Sequence, residues 1–211
     1  MPAARLHLVR HGEVHNPGGV IYERLPNFHL SDRGQEMARL AAQHLADSGR
    51  TISALYASPL LRAQESAAPV ATAFELDIQT DERLIEPYNL FKGRKLGFGH
   101  ILLRPHLYYH LRDPKVPSWG EPYQQIADRM LAAMDAVADE VESGDAVLVS
   151  HQLAIWMAHL AVARLPFAHN PRNRRCALSS VTAFEKRDGV WFEVGYADPG
   201  AKALSVDKGA V

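Results

Sequence analysis

The sequence predicts an α/β fold: a three-layer α/β/α sandwich on a mainly parallel sheet, closed by a C-terminal antiparallel hairpin, with an insertion over the active edge. Three observations predict it. Short apolar runs alternate with longer stretches of helical period, the pattern of a parallel sheet covered on both faces. Two period-2 runs near the end, SSVTAFEKR and VWFEVGY, meet at Arg187-Asp188-Gly189, a hairpin signal. The chain has 211 residues, enough for one good core and short for two, so a single domain over 1–211 is expected.

Taken in order, RLHLV (5–9) is a buried strand, followed by a loop over 12–30 rich in Gly, Pro and Asn. A helix follows, with Ser31 at its N-cap, Met37, Leu40, Ala41, His44 and Leu45 at helical spacing, and Gly49 as its stop. ISALYAS (52–58) is the second strand; Ser58 then caps a helix that has Pro59 at its first position and runs to about Phe74. DIQTDERLIE (77–86) is a weaker third strand. Residues 87–120 show little period and form a lid-like insertion, rich in bases such as Lys92, Arg94 and Lys95 and in aromatics. An amphipathic helix over 121–144 places Ile126, Met130, Met134, Val137 and Val141 on one stripe, read as core. DAVLVS (145–150) is a buried strand and 152–165 a helix, before the final hairpin.

Composition removes several function classes. A net charge of −1, with 22% charged and 47% hydrophobic residues, gives no bulk argument for nucleic acid or a membrane surface as partner. The single cysteine, Cys176, rules out a disulfide framework or a cysteine-built metal site within one chain, and the eleven histidines are scattered rather than clustered. LHLV is too short for a signal peptide and is followed at once by Arg10, and no run approaches the roughly 18 apolar residues of a membrane span. A cytoplasmic protein is expected. No Gly-x-Gly-x-x-Gly follows the first strand, which discards a dinucleotide-binding oxidoreductase.

In open α/β sheets ligands bind beyond the carboxyl ends of the strands. That rule gathers chemistry at one edge: Arg10-His11 after the first strand, Ser58-Pro59 with Arg62 one turn on after the second, Glu86 after the third, and Ser150-His151 after the fourth. Arg10, Arg62, His11 and His151 form a cationic cluster without an acidic partner of equal size, which calls for an anion between them. Arginine forks match phosphate oxygens, and helices starting after Ser58 and His151 add free N–H groups. A histidine in such a site can take a phosphoryl group on a ring nitrogen, and a carboxylic acid such as Glu86 can protonate a poor alkoxide leaving group.

The segments LVRHGEVHN, ASPLLRAQESA, RLIE and VLVSHQ resemble the four signatures of the histidine phosphatase superfamily, also called the phosphoglycerate mutase-like family. The resemblance spans about residues 5–185, with a gap over 87–145. It implies that His11 is the nucleophile, that Arg10, Arg62 and His151 clamp the phosphate, and that Glu86 donates the proton, with Glu82 as the competing carboxylate. It further implies metal-independent phosphomonoester hydrolysis of a small phosphorylated metabolite through a phosphohistidine, with no cofactor and no metal. Where family members often carry glycine after the late histidine, this chain has Gln152, a substrate-binding candidate at the pocket floor or lip. The longer mutase signature is not evident, which places phosphoglycerate mutase activity second; a noncatalytic phospho-ligand-binding module is the reading from another class. Asn16, five residues past His11, is a candidate phosphate contact and equally a turn former, and Arg24 is a candidate for the pocket mouth. HNPRNRRC (169–176) adds to a positive rim. The exposed faces of the hairpin and of the insertion are the candidate contacts of a homodimer.

Overall fold

A computed structural model describes residues 5–88 and 120–204. Six strands form one sheet: β1 (Leu6–Arg10), β2 (Ile52–Ala57), β3 (Ile78–Thr80), β4 (Asp145–Ser150), β5 (Val181–Arg187) and β6 (Val190–Ala197), in the spatial order β3-β2-β4-β1-β5-β6. The first four run parallel, and β5 and β6 are antiparallel to their neighbours. The helices are α1 (Asp32–Asp47), α2 (Leu61–Phe74), α3 (Tyr123–Glu140), α4 (Gln152–Val162) and the short α5 (Ala201–Leu204).

Period-2 alternation splits each central strand between two cores. Val9, Leu55, Ala57, Val147 and Val149 pack with residues of α1 and α2 on one face. Leu6, Leu8, Ala54, Tyr56 and Leu148 pack with α3 and α4 on the other, where Ile126, Met130, Met134, Val137 and Val141 are all buried as the stripe predicts. These two faces are the outer layers of the sandwich. The hairpin turns through Asp188 (φ 51°) and Gly189 (φ 77°), the pair of left-handed residues that a two-residue hairpin of this hand requires.

Several boundaries differ from the sequence expectation, each for a local reason. Ser58 is not the N-cap of α2: Leu60 holds that position without a side-chain cap, and the Ser58 hydroxyl accepts from Leu60 N–H at 3.4 Å and lies 2.8 Å from His151 Nε2. The third strand covers only Ile78–Thr80, after which the Asp81 side chain accepts from Arg83 N–H and opens a 3₁₀ turn over Glu82–Leu84. Helix α3 occupies Tyr123–Glu140 rather than the whole of 121–144, and α4 stops at Val162, with Arg164 in the left-handed region (φ 55°). The insertion expected over 87–120 falls outside the described residues between 89 and 119.

Candidate active site

Strand register builds the site. Arg10 pairs with Ser150, and Ala57 with Val149, so the residues leaving β1, β2 and β4 emerge side by side. The backbone continues the ladder one step further: His11 N–H donates to Ser150 O at 3.1 Å and Ser58 N–H to Val149 O at 2.9 Å. The His11 and His151 rings consequently face each other with centroids 5.2 Å apart. Both histidines, Ser58 and Arg62 are buried.

Each side chain has a defined posture. His11 Nδ1 lies 2.8 Å from Gly12 O, a carbonyl that can only accept, so Nδ1 carries the hydrogen and Nε2 keeps its lone pair. Burial, helped by His151, Arg62 and Arg10, pushes the His11 pKa well below the ordinary value and keeps the ring neutral. His151 has three side-chain partners: Nε2 is 2.8 Å from Ser58 Oγ, and Nδ1 is 3.2 Å from Glu86 Oε2 and 3.4 Å from Arg62 Nη2. Burial lowers the His151 pKa against the pull of Glu86. For Glu86, burial raises the pKa, yet His151, Arg62 and Arg10 outweigh it and leave the carboxyl below its usual range. The consistent state is a neutral His151 whose Nδ1–H donates to an ionised Glu86, while the Ser58 hydroxyl donates to Nε2.

Arg62 enters the floor from the first turn of α2. Its Nη2 donates to Glu23 O at 2.6 Å and lies 3.8 Å from Glu86 Oε2, and its guanidinium carbon is 4.8 Å from the Tyr22 ring centroid. Arg10 Nη1 donates to Cys176 O at 2.7 Å. The Nε atoms of both arginines are buried with no hydrogen-bond partner among the described residues. A buried donor left unmet is costly, which marks a place where a ligand acceptor belongs. Ser66, one turn beyond Arg62, accepts from Gly12 N–H at 3.0 Å and donates to Arg62 O at 2.7 Å, fastening the β1 exit loop to α2.

These groups open into a cleft of about 270 Å³ lined by Arg10, His11 and Glu86, with Gln152 and Arg174 on the wall. All five residues expected in the chemistry are brought together, Arg62 and His151 behind the lining and against Glu86, and Glu86 rather than the exposed Glu82 lines the cleft. Gln152, the first residue of α4, lines it too. Asn16 and Arg24 stand outside the lining. The Asn16 amide closes its own loop, accepting from Val20 N–H (3.1 Å) and donating to Val20 O (2.8 Å). Arg24 braces the wall instead, donating to Glu86 O (2.5 Å) and to Glu121 Oε2 (3.1 Å). Two contributors escaped the sequence reading: Ser58 as a partner of His151, and Tyr22 over Arg62. The Ser-Pro pair signalled a helix start, and nothing in a loop tyrosine announces an arginine beneath it.

Ligand atoms of His11, Glu86 and His151 lie within 4.8 Å of one another, a spacing that could hold a cation. Arg10 and Arg62 beside them oppose a dication and favour an anion in the same space.

The histidine phosphatase superfamily (branch 1) family model matches residues 6–199. An uncharacterised protein of Mycobacterium tuberculosis, Rv0525, is 46% identical over 198 residues, covering 93% of this chain and 97% of that protein. A 2,3-bisphosphoglycerate-dependent phosphoglycerate mutase of Thermoplasma acidophilum is 32% identical over 125 residues, 57% of this chain and 62% of the mutase. Among solved structures, a mycobacterial glucosyl-3-phosphoglycerate phosphatase, Rv2419c, superposes with a TM-score of 0.72 at 25% identity, covering 90% of this chain and 96% of that one.

Proposed function

The chain belongs to the histidine phosphatase superfamily, branch 1, and from that premise we propose that it hydrolyses a small phosphorylated metabolite through a phosphohistidine on His11, without a metal. One observation carries the reading. A neutral histidine with its Nε2 lone pair available lies beside two guanidinium groups whose buried Nε donors lack partners among the described residues. A phosphoryl group satisfies all three at once: its oxygens meet the guanidinium donors and its phosphorus meets the lone pair.

The chemistry follows from the postures. Arg10 and Arg62 hold the equatorial oxygens, joined by His151 Nδ1–H once protonation of Glu86 releases it, and stabilise the charge that spreads over them in the transition state, the task a metal performs elsewhere. His11 Nε2 forms a bond to phosphorus as the ester P–O bond breaks. The departing alkoxide takes the proton of the Glu86 carboxyl. In the free protein that carboxyl is ionised, held so against burial by His151, Arg62 and Arg10. An incoming phosphate dianion neutralises the two guanidinium groups and repels the carboxylate, so binding loads the proton that the first step uses. Water then attacks the phosphohistidine, Glu86 takes its proton, and inorganic phosphate leaves with His11 restored.

Rv2419c is a phosphatase and the Thermoplasma relative a mutase, so phosphatase and mutase activity are both within reach of this family. Hydrolysis is favoured because the longer signature by which mutases hold phosphoglycerate is not evident in this chain. A cytoplasmic setting fits, since phosphate esters are charged and stay in the compartment where they are made.

The test is turnover of a panel of phosphomonoesters in the presence of a chelator, for the wild type and His11→Ala. Chelator-resistant release of phosphate that disappears in His11→Ala is the expected result. Phosphate release that persists in the variant overturns the nucleophile, and a well-folded wild type that moves phosphoryl groups between acceptors without releasing phosphate favours the mutase.

A further inference from the structure

We infer that Glu121 is a positioning residue for the proton donor: it locks together the two arginines that hold the Glu86 segment by its carbonyls, and so sets where the Glu86 carboxyl lies. The inference rests on the phosphomonoester reading above and adds a residue to its machinery. Residues 85–88 belong to no strand or helix, so no ladder fixes Glu86. Pro87 biases residue 86 toward extended backbone and contributes no N–H of its own. A segment of this kind is placed by whatever its carbonyls meet.

Four carbonyls between Arg83 and Tyr88 are met. Ser150 Oγ donates to Leu84 O at 2.7 Å, and Glu121 N–H donates to Tyr88 O at 2.9 Å. Arg129 Nη1 donates to Arg83 O, and Arg24 Nε donates to Glu86 O. Both arginines then turn to one carboxylate. Arg129 grips Glu121 as a fork, Nε to Oε1 at 2.7 Å and Nη2 to Oε2 at 3.2 Å. Arg24 Nη2 donates to the same Oε2 at 3.1 Å. Arg24 comes from the loop after β1, Arg129 from the second turn of α3, and Glu121 from just before that helix. One carboxylate thus ties down the chain on both sides of the Glu86 side chain.

The geometry suits a brace better than a substrate contact. Glu121 lines the cleft, but a carboxylate there repels a phosphate dianion. Its side chain is only 16% exposed, so its ion pairs are better shielded than those of a surface and its fork to Arg129 is directional. What it protects is narrow. Glu86 Oε2 lies 3.2 Å from His151 Nδ1 and 3.8 Å from Arg62 Nη2. A shift of about 1 Å breaks both contacts, and misplacement on that scale costs about a hundredfold in rate.

Glu121→Gln keeps the side-chain shape and removes the charge that both arginines share. Its kcat on an alkyl phosphate is expected to fall about ten- to a hundredfold at nearly constant KM, and on p-nitrophenyl phosphate far less, because that ester needs no acid. In a Glu86→Gln background the same change should cost nothing further on the alkyl ester. Arg24→Gln, which releases Glu86 O, should repeat the ester-selective loss, and it carries the test if Glu121→Gln folds poorly. Equal losses on both esters, or a further loss in the Glu86→Gln background, would overturn the inference. So would a raised KM on every ester in Arg24→Gln at unchanged kcat, which would make Arg24 a substrate contact. Titration of the Glu86 carboxyl by carbon NMR reads the same point without turnover. A wild type inert toward every ester would therefore remove the phosphatase reading and leave this readout standing. Displacement from His151 and Arg62 raises the Glu86 pKa toward the ordinary carboxylate range, whereas loss of a nearby negative charge with Glu86 in place lowers it. A rise in Glu121→Gln is expected; a fall, or no change, would overturn the positioning role.

Discussion

At the scale of single residues, the site is a set of protonation states fixed by neighbours, and Glu86 shows what depends on them. An alkoxide is a poor leaving group and needs a proton as it departs, whereas p-nitrophenolate does not. Glu86→Gln should therefore lower kcat on alkyl phosphates by about 10²–10⁴-fold and on p-nitrophenyl phosphate far less. Parallel steady-state kinetics on the two ester types checks this, and an equal loss on both would remove Glu86 from the proton-transfer role. The sequence made most of these residues legible because each chemical group follows a strand of unmistakable apolar character. It left Glu82 and Glu86 in competition, because both lie on a weakly patterned segment. The Asp81-capped 3₁₀ turn decides between them, exposing Glu82 and delivering Glu86 to His151 and Arg62. Arg174 was visible only as one base in a basic stretch; its neighbours Arg172 and Arg175 are exposed, and only the fold separates the three.

At the scale of elements, the loop that carries His11 depends on how closely helix α1 approaches β1. A Cβ on Gly34 would stand 2.0 Å from Glu13 O, and one on Gly12 would stand 2.4 Å from Gly34 O. This contact is sewn from both sides: Ser31 N–H donates to Glu13 O at 2.9 Å, Ser31 Oγ donates to Glu13 Oε1 at 2.7 Å, and Gly34 N–H donates to Ser31 Oγ at 3.0 Å. Two effects compete in Gly34→Ala. Helix propensity alone favours alanine by about 1 kcal/mol. The clash is with backbone that cannot rotate away, and overpacking of that kind costs about 1–3 kcal/mol, so the clash should win. The variant is expected to melt several degrees lower and, with His11 displaced, to lose at least about tenfold in kcat. Thermal unfolding paired with kinetics tests it, using Gly195→Ala on the edge strand β6 as comparison, since an added Cβ there meets only Ala183 Cβ, at the ordinary contact distance of 3.8 Å. A Gly34→Ala protein as stable and active as the wild type would show that the loop is not held by this approach. Sequence periodicity found α1 and its Ser31 cap, because capping and amphipathic spacing are local. It could not foresee that the Gly34 of its first turn faces the Gly12 after His11, because that is a contact between segments.

At the scale of the whole molecule, the parallel sheet separates a chemical end from a structural end. Beyond the carboxyl ends of β1, β2 and β4 lie His11, Ser58 and His151; at the start of β4 lies Asp145, buried and about 17 Å from Ser150 along the strand. His7 Nε2 is 2.8 Å from Asp145 Oδ2, and Arg50 grips the same carboxylate, with Nη2 at 2.9 Å from Oδ1. Burial raises the Asp145 pKa, but the hydrogen bonds from Arg50 and His7 prevail and bring it down to about 2, from an ordinary 3.8. The folded protein thus holds this carboxylate ionised where the unfolded chain would protonate it. The resulting stabilisation, about 2 kcal/mol, is complete above the unfolded pKa and is lost as pH falls from near 4 toward 2. In Asp145→Asn the Arg50 guanidinium loses its counter-charge and the buried His7 ring its carboxylate partner, at a cost of about 3 kcal/mol near neutral pH. Unfolding free energies measured between pH 7 and pH 2 should show the wild type and the variant converging as the acid end is approached. The kcat of the folded variant should match the wild type, because nothing at this end of β4 touches the cleft. A variant that lost activity in proportion to stability would mean that the two ends of the sheet are coupled, and that the strand ladder carries strain from Asp145 to His151.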